Sequence, residues 1–217
     1  AGIAHEIRNP LSGINIFLDS IRENFEDAES SDDIRSLISQ AQAAAGKIES
    51  VVKGVLDFAR PGTPRFDMAG INAPIQDALK LTMVMLRKSD IAVETDLADG
   101  LQPVHIDVQQ MEQVLLNLIT NAAEALKSSP GERRISIRTF AEEQFVVVQF
   151  SDSGCGIPPE QYDTIFDPFY TTKKDGSGIG LSIVRRIVAD HRGRITAGKS
   201  VWGGALFEIR LPSGASP

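Results

Sequence analysis

Two runs of apolar residues at alternating steps of four and three dominate the chain between Ile7 and Ala59. Ile7, Leu11, Ile14, Leu18, Ile21 and Phe25 make one; Ile34, Ile38, Ala41, Ala45, Ile48, Val52, Val55 and Ala59 make the other. That spacing is the narrow seam of a coiled coil, not the wider stripe by which a globular helix joins a core. Between the runs Asp27 to Asp33 is polar, and the side-chain oxygens of Ser30, Ser31 and Asp32 suit the cap of a second helix. The spacing predicts an antiparallel helical hairpin. Two helices alone cannot enclose both seams, so the apolar surface needs a partner. A second copy, completing a four-helix bundle, is the economical one, and the alternative is the chain's own C-terminal part. Arg60-Pro61-Gly62-Thr63-Pro64 then ends the helix, since proline lacks a donor and clashes inside a helix.

Beyond residue 64 the pattern changes. Asn72 is expected to cap a helix running to about Arg87, and Ile91, Val93 and Thr95 alternate as a strand does. A long helix is expected from Val108 to Lys127, then strands over Arg134 to Phe140 and Phe145 to Phe150. A polar, glycine-dotted stretch fills Ser153 to Ser177. A helix from Gly180 to Asp190 and strands near Arg194 to Ala197 and Ala205 to Leu211 complete the chain. This mixed order predicts an α+β fold: a helical hairpin over residues 1–64, then a two-layer α/β sandwich over 65–217 with its helices on one face of the sheet.

Charge narrows the partners. Twenty-two Lys and Arg stand against 29 Asp and Glu, a formal net charge of −7, with no basic stripe to neutralise a phosphate backbone. Nucleic acid is therefore not expected as a partner. One cysteine permits no intrachain disulfide, which fits a reducing compartment. No apolar run approaches the roughly 18 residues that would suggest a bilayer span, and the N-terminus lacks a secretory pattern. This segment is expected to be cytoplasmic and without membrane contact.

The long helix carries the first chemistry. Met111, Val114, Leu115, Leu118, Ile119, Ala122 and Leu126 form its buried stripe and leave Gln113, Asn117, Asn121 and Glu124 on another face. For Gln113 and Glu124 a solvated face and a place in the site are equally open. Two asparagines one turn apart ask for more, because asparagine is a poor helix former. Its carboxamide oxygen is a hard ligand suited to magnesium. Asp152-Ser153-Gly154-Cys155-Gly156 closes a strand and, taken alone, is a tight turn of any kind. Gly176-Ser177-Gly178-Ile179-Gly180-Leu181 leads into a helix whose first N–H groups can receive phosphate oxygens, and Lys173 adds a point charge nearby. Near the start, Ala4-His5-Glu6-Ile7-Arg8-Asn9-Pro10-Leu11 sets a histidine just off the seam, pointing outward. An ordinary imidazole pKa of about 6.5 leaves it largely neutral and nucleophilic at pH 7. Asn9 lies one turn along the same face, and Pro10 should bend the helix beyond it.

Taken in chain order, from His5 through Asn117 and Asn121 and the Asp152 turn to the glycines at 176–180, these motifs resemble the kinase core of a two-component sensor histidine kinase, over about residues 2 to 212. The resemblance implies a Bergerat-type ATP-binding domain and a homodimer. It implies autophosphorylation on His5, with Glu6 taking the imidazole proton and Asn9 orienting water for phosphatase activity toward the partner. That partner is a response regulator, which receives the phosphoryl group on an aspartate. ATP and Mg2+ are the implied cofactors, with Asn121 on the metal and Asn117 beside it. Asp152 would accept from the adenine amino group while Gly154 and Gly156 let backbone approach the base. Lys173, Gly176, Gly178, Gly180 and Leu181 belong to the lid and the glycine motif that closes over the phosphates. Phe166 and Phe169, in the run Phe166-Asp167-Pro168-Phe169, are expected simply to pin that loop to the domain. The resemblance also allows a sensor region, membrane-borne or soluble, outside this segment, and so tethering to the inner membrane. One departure is Arg192, at a place often held by glycine. The alternatives are an ATPase of the related gyrase, Hsp90 and MutL group, or a dimeric scaffold that binds nucleotide without transfer. Those ATPases carry a water-activating glutamate one turn before the magnesium asparagine, where this chain has Asn117.

Overall fold

The computed structural model describes residues 11–18, 20–21, 34–42, 44–46, 48, 64–127, 129, 131–173, 176 and 178–214. The chain divides into two compact units, one from 1–61 and 169–179, the other from 62–168 and 180–217. In the first, the described residues of 11–21 and of 34–48 are helical, as the seam spacing predicts. None of the described seam positions is buried, and Leu11, Leu18 and Ile38 are 49%, 53% and 44% exposed. Ile7, Phe25, Val52, Val55, Ala59, the capping candidates Ser30, Ser31 and Asp32, and residues 60–63 lie outside the described residues.

The second unit runs β1 (Asp67–Ala69), α1 (Asn72–Lys88), β2 (Ala92–Leu97), β3 (Val104–Ile106), α2 (Val108–Lys127), β4 (Arg134–Glu142), β5 (Phe145–Asp152), α3 (Gly180–Asp190), β6 (Arg194–Lys199) and β7 (Ala205–Pro212). Single 3-10 turns at Pro159–Gln161 and Thr164–Phe166 interrupt the stretch after β5. Five strands form one sheet in the order β2-β4-β5-β7-β6, with β2 parallel to β4 and the other pairs antiparallel. β1 and β3 pair apart from it. At three residues each they are too short to show a period and leave no local signal.

Alternation along the strands builds the core. Ile135 and Ile137 on β4, Val146, Val148 and Phe150 on β5, and Phe207, Ile209 and Leu211 on β7 are all buried. Helix α2 packs against both α1 and α3 and adds Met111, Val114, Leu115, Leu118, Ile119 and Leu126 to the same core. The other face of the sheet is mainly polar, around a buried Val147. The register lines up Asp96, Arg138, Gln149 and Glu208 across β2, β4, β5 and β7. Arg138 pairs with Asp96 at 3.0 Å, and Arg210 bridges Glu142 at 2.7 Å and Glu208 at 2.8 Å. The Gln149 amide, foremost, holds the Glu208 carboxyl below its ordinary value against the cost of its burial, and Arg210 adds to the effect. A sheet with one apolar and one charged face supports two layers rather than three.

The start of α1 departs from expectation. Asn72 is the first helical residue, not the cap; Ile71 precedes it with φ of −66° and no side-chain cap bond. The Asn72 carboxamide donates to the Ala98 carbonyl at 2.9 Å and accepts from Thr139 Oγ1 at 3.0 Å. Thr139 is buried and needs a hydrogen-bond partner, a demand that outweighs a local cap. Asp107 does cap α2: Oδ1 accepts from Gln110 N–H at 3.0 Å, while Oδ2 holds Arg65 N–H at 2.7 Å.

Arg192 also gains a reason. After α3, Gly193 N–H donates to Val188 O and Arg192 N–H to Ala189 O, both at 2.9 Å, which is a Schellman closure. It puts Arg192 at φ +55°, in the left-handed region that disfavours a side chain. Arg192→Gly is expected to stabilise this unit by about 1 kcal/mol. Thermal unfolding should show a rise of about 2–4 °C; an unchanged or lower midpoint would mean the arginine side chain compensates for the strain.

Candidate functional site

Asn117, Asn121 and Ala125 recur at every fourth residue and so lie along one line of α2. That line gathers pieces far apart in sequence. Gly180, the first residue of α3, sits so close that a Cβ there would lie 3.5 Å from Asn117 Oδ1 and 3.8 Å from Asn121 Nδ2. One turn further, a Cβ on Gly154 would lie 3.0 Å from Ala125 Cβ and 3.0 Å from Asp152 Oδ1. Asn117, Asn121 and Leu181 are half-buried, as is Gln113, whereas Glu124 is exposed. Two carboxamides thus stand beside the N-terminal end of an eleven-residue helix, where free N–H groups and the positive end of the dipole favour an anion. Among the described residues no three His, Cys, Asp or Glu side chains cluster as a metal cage. A carboxamide with nucleotide phosphates suits magnesium, which keeps several waters and needs few protein ligands.

Asp152 ends β5 and is 2% exposed. A buried carboxylate needs donors, and Oδ1 accepts from Gly154 N–H at 2.8 Å and Ala205 N–H at 3.1 Å. The Asp152 carbonyl accepts from Ser200 Oγ at 2.7 Å. Ser153 anchors the turn to β4: its hydroxyl donates to Glu132 O at 2.6 Å and accepts from Arg134 N–H at 2.9 Å. The glycines answer to the protein's own backbone. Gly156 has φ +73°, and a Cβ there would come within 2.6 Å of Gly203 O. A Cβ on Gly204 would collide with the Asp152 carbonyl and carboxylate. Sequence reading had not singled out Ala125, Ser153, Ser200, Gly203 or Gly204; the Gly203-Gly204 pair just before a strand was the available signal.

Residues 169–179 group with the first unit. Within them Phe169 takes φ +68° and its N–H donates to Gly178 O at 3.0 Å. Gly178 has φ +65°, and a Cβ on it would reach within 2.5 Å of the Phe169 carbonyl carbon. Lys173 is exposed, its N–H donating to Thr171 Oγ1 at 3.1 Å, and a Cβ on Gly176 would lie 2.5 Å from that same oxygen. In the second unit Phe166 is buried edge-to-face against Phe207 at 6.3 Å, with the Arg185 guanidinium 5.9 Å from its ring centre. It pins its loop, as expected of it. His5, Glu6 and Asn9 lie outside the described residues.

Residues 106–215, half of the chain, match the family described as histidine kinase-, DNA gyrase B- and HSP90-like ATPase, and residues 1–64 match the His Kinase A (phospho-acceptor) domain. This chain belongs to the sensor histidine kinases. It is 31% identical over 212 residues to the signal transduction histidine-protein kinase AtoS of Escherichia coli (strain K12), covering 98% of this chain and 34% of that protein. This histidine kinase segment thus spans about a third of that relative's length. Among solved structures, the catalytic domain of histidine kinase ThkA aligns with a TM-score of 0.62 and 34% identity, covering 69% of this chain and 96% of that one. ThkA in complex with the response regulator protein TrrA aligns at 0.80 with 28% identity, over 99% of this chain and 60% of that one. The ATPase match gives residues 106–215 of this histidine kinase an ATP-binding fold. No helix among the described residues is long and apolar enough to cross a membrane.

Proposed function

We propose that this chain is the catalytic core of a homodimeric histidine kinase, with residues 1–64 as dimerisation and phosphotransfer hairpin and 65–217 binding ATP with magnesium. The observation that carries this reading is Asn117. It lies one turn before Asn121 on the line that faces Gly180, where the related ATPases hold their water-activating glutamate. A carboxamide cannot take a proton from water, so the γ-phosphoryl group needs another nucleophile. The phospho-acceptor match over residues 1–64 supports His5 in that role. Its imidazole nitrogen attacks the γ-phosphorus, the bond to the β-phosphate oxygen breaks to release ADP, and Glu6 takes the proton from the other ring nitrogen. Transfer of this kind rests on positioning and charge neutralisation.

Each remaining residue then has a task. Asp152 reads the adenine amino group from a carboxylate fixed by backbone donors, with Gly154 and Gly156 beneath the base. Gly180 and Leu181 open α3 toward the phosphates, and Asn121, with Asn117 beside it, would hold magnesium. Lys173, Gly176 and Gly178 supply the lid. From His5 the group passes to an aspartate of a response regulator, a partner supported by the ThkA complex with TrrA, and Asn9 orients water when the regulator is dephosphorylated. The open seam at Leu11, Leu18 and Ile38 supports the homodimer. The segment works on the cytoplasmic side, alone or tethered through a sensor region to the inner membrane.

Incubation with γ-labelled ATP tests this. An acid-labile, base-stable label on the protein is expected. Phosphate release without labelling would instead make it an ATPase, and neither outcome would leave only a nucleotide-binding scaffold.

A further inference from the structure

The turn joining β6 to β7, Ser200 to Gly204, closes on the Asp152 loop. Ser200 is buried, although it lies in a surface turn. Its hydroxyl donates to the Asp152 carbonyl at 2.7 Å and accepts from Trp202 N–H at 3.3 Å, so the rotor has one setting. The turn is closed on itself by Ser200 N–H to Gly204 O at 2.9 Å and Gly203 N–H to Ser200 O at 3.0 Å. Its last step delivers Ala205 N–H to the Asp152 carboxylate at 3.1 Å. Gly156 leaves room for Gly203 O, and Gly204 leaves room for the Asp152 carbonyl. One turn therefore grips the main chain and the side chain of the same aspartate.

We infer that Ser200 is a positioning residue for Asp152 and, through it, a determinant of adenine selectivity. This rests on the proposed reading of Asp152 as the contact to the base. A carboxylate discriminates an amino group from a carbonyl only if it is held in register with the base edge. The Ser200 hydroxyl locks the carbonyl at the strand end, and the Ala205 N–H locks the carboxylate; loss of the first lets the whole turn drift.

The test is a cycle of Ser200→Ala, Asp152→Asn and the double variant in the whole chain, read as ADP and GDP dissociation constants by calorimetry. Emission of Trp202, the single tryptophan, checks that the turn is folded. Ser200→Ala should weaken ADP about fivefold, from the loss of one hydrogen bond, and leave GDP unchanged. In the Asp152→Asn background it should cost ADP nothing further. Ser200→Cys, similar in volume and a weaker donor, is carried in parallel and should lose less. Wild-type ADP binding in Ser200→Ala, equal losses for ADP and GDP, or full additivity with Asp152→Asn would overturn the inference. If Asp152→Asn itself leaves the preference for ADP intact, the adenine reading of Asp152 fails, and Ser200 falls with it.

Discussion

His5→Gln is expected to abolish covalent labelling from ATP while leaving nucleotide affinity within about twofold, because residue 5 lies outside the ATPase family match at 106–215 and sites with no shared partner behave nearly additively. Glutamine keeps a polar side chain of comparable reach but offers no nitrogen lone pair for attack, since its amide nitrogen is delocalised into the carbonyl. The substitution therefore removes the proposed nucleophile and introduces a residue of good helix propensity. The proposed ATP site is built from α2, α3, the turn after β5 and the lid residues Lys173, Gly176 and Gly178, none of which includes residue 5. Labelling is measured after denaturing the protein in base, where a phosphohistidine survives. Labelling of the variant at the wild-type rate would remove His5 from the mechanism and direct attention to another acceptor.

Asp152→Asn should weaken ATP by about 1.5 to 3 kcal/mol, the scale of a hydrogen bond to a charged group, which is roughly ten- to a hundredfold in affinity. The structure explains why so small a change should act on the base alone. Oδ1 is held by the N–H groups of Gly154 and Ala205, and an asparagine oxygen can keep both bonds. The new NH2 then takes the other carboxylate position, and the adenine amino group meets a donor instead of an acceptor. GTP should not lose affinity, since guanine presents a carbonyl there. Calorimetry with both nucleotides decides it, and matching losses would mean the carboxylate does not read the base.

What the sequence determined by itself is whatever depends on near neighbours along the chain. Hydrophobic period placed the helices at 108–127 and 180–190 and the strands that became β4, β5 and β7, because a helix or strand buries every third-to-fourth or every second residue wherever it packs. The same logic set Asn117 and Asn121 on one helical line and Asp152 at a strand end. It failed where a distant partner outbid a local preference. Asn72 gave up a cap to satisfy buried Thr139, 67 positions along the chain. β1 and β3 have no pattern of their own and exist only because each finds the other. The brace on Asp152 was hidden for the same reason: Ser200, Gly204 and Ala205 reach that aspartate across some fifty positions of chain. A hydrogen bond between β5 and the β6–β7 turn leaves no trace in local spacing, so only the folded sheet, by setting those strands side by side, could decide how the candidate adenine site is held.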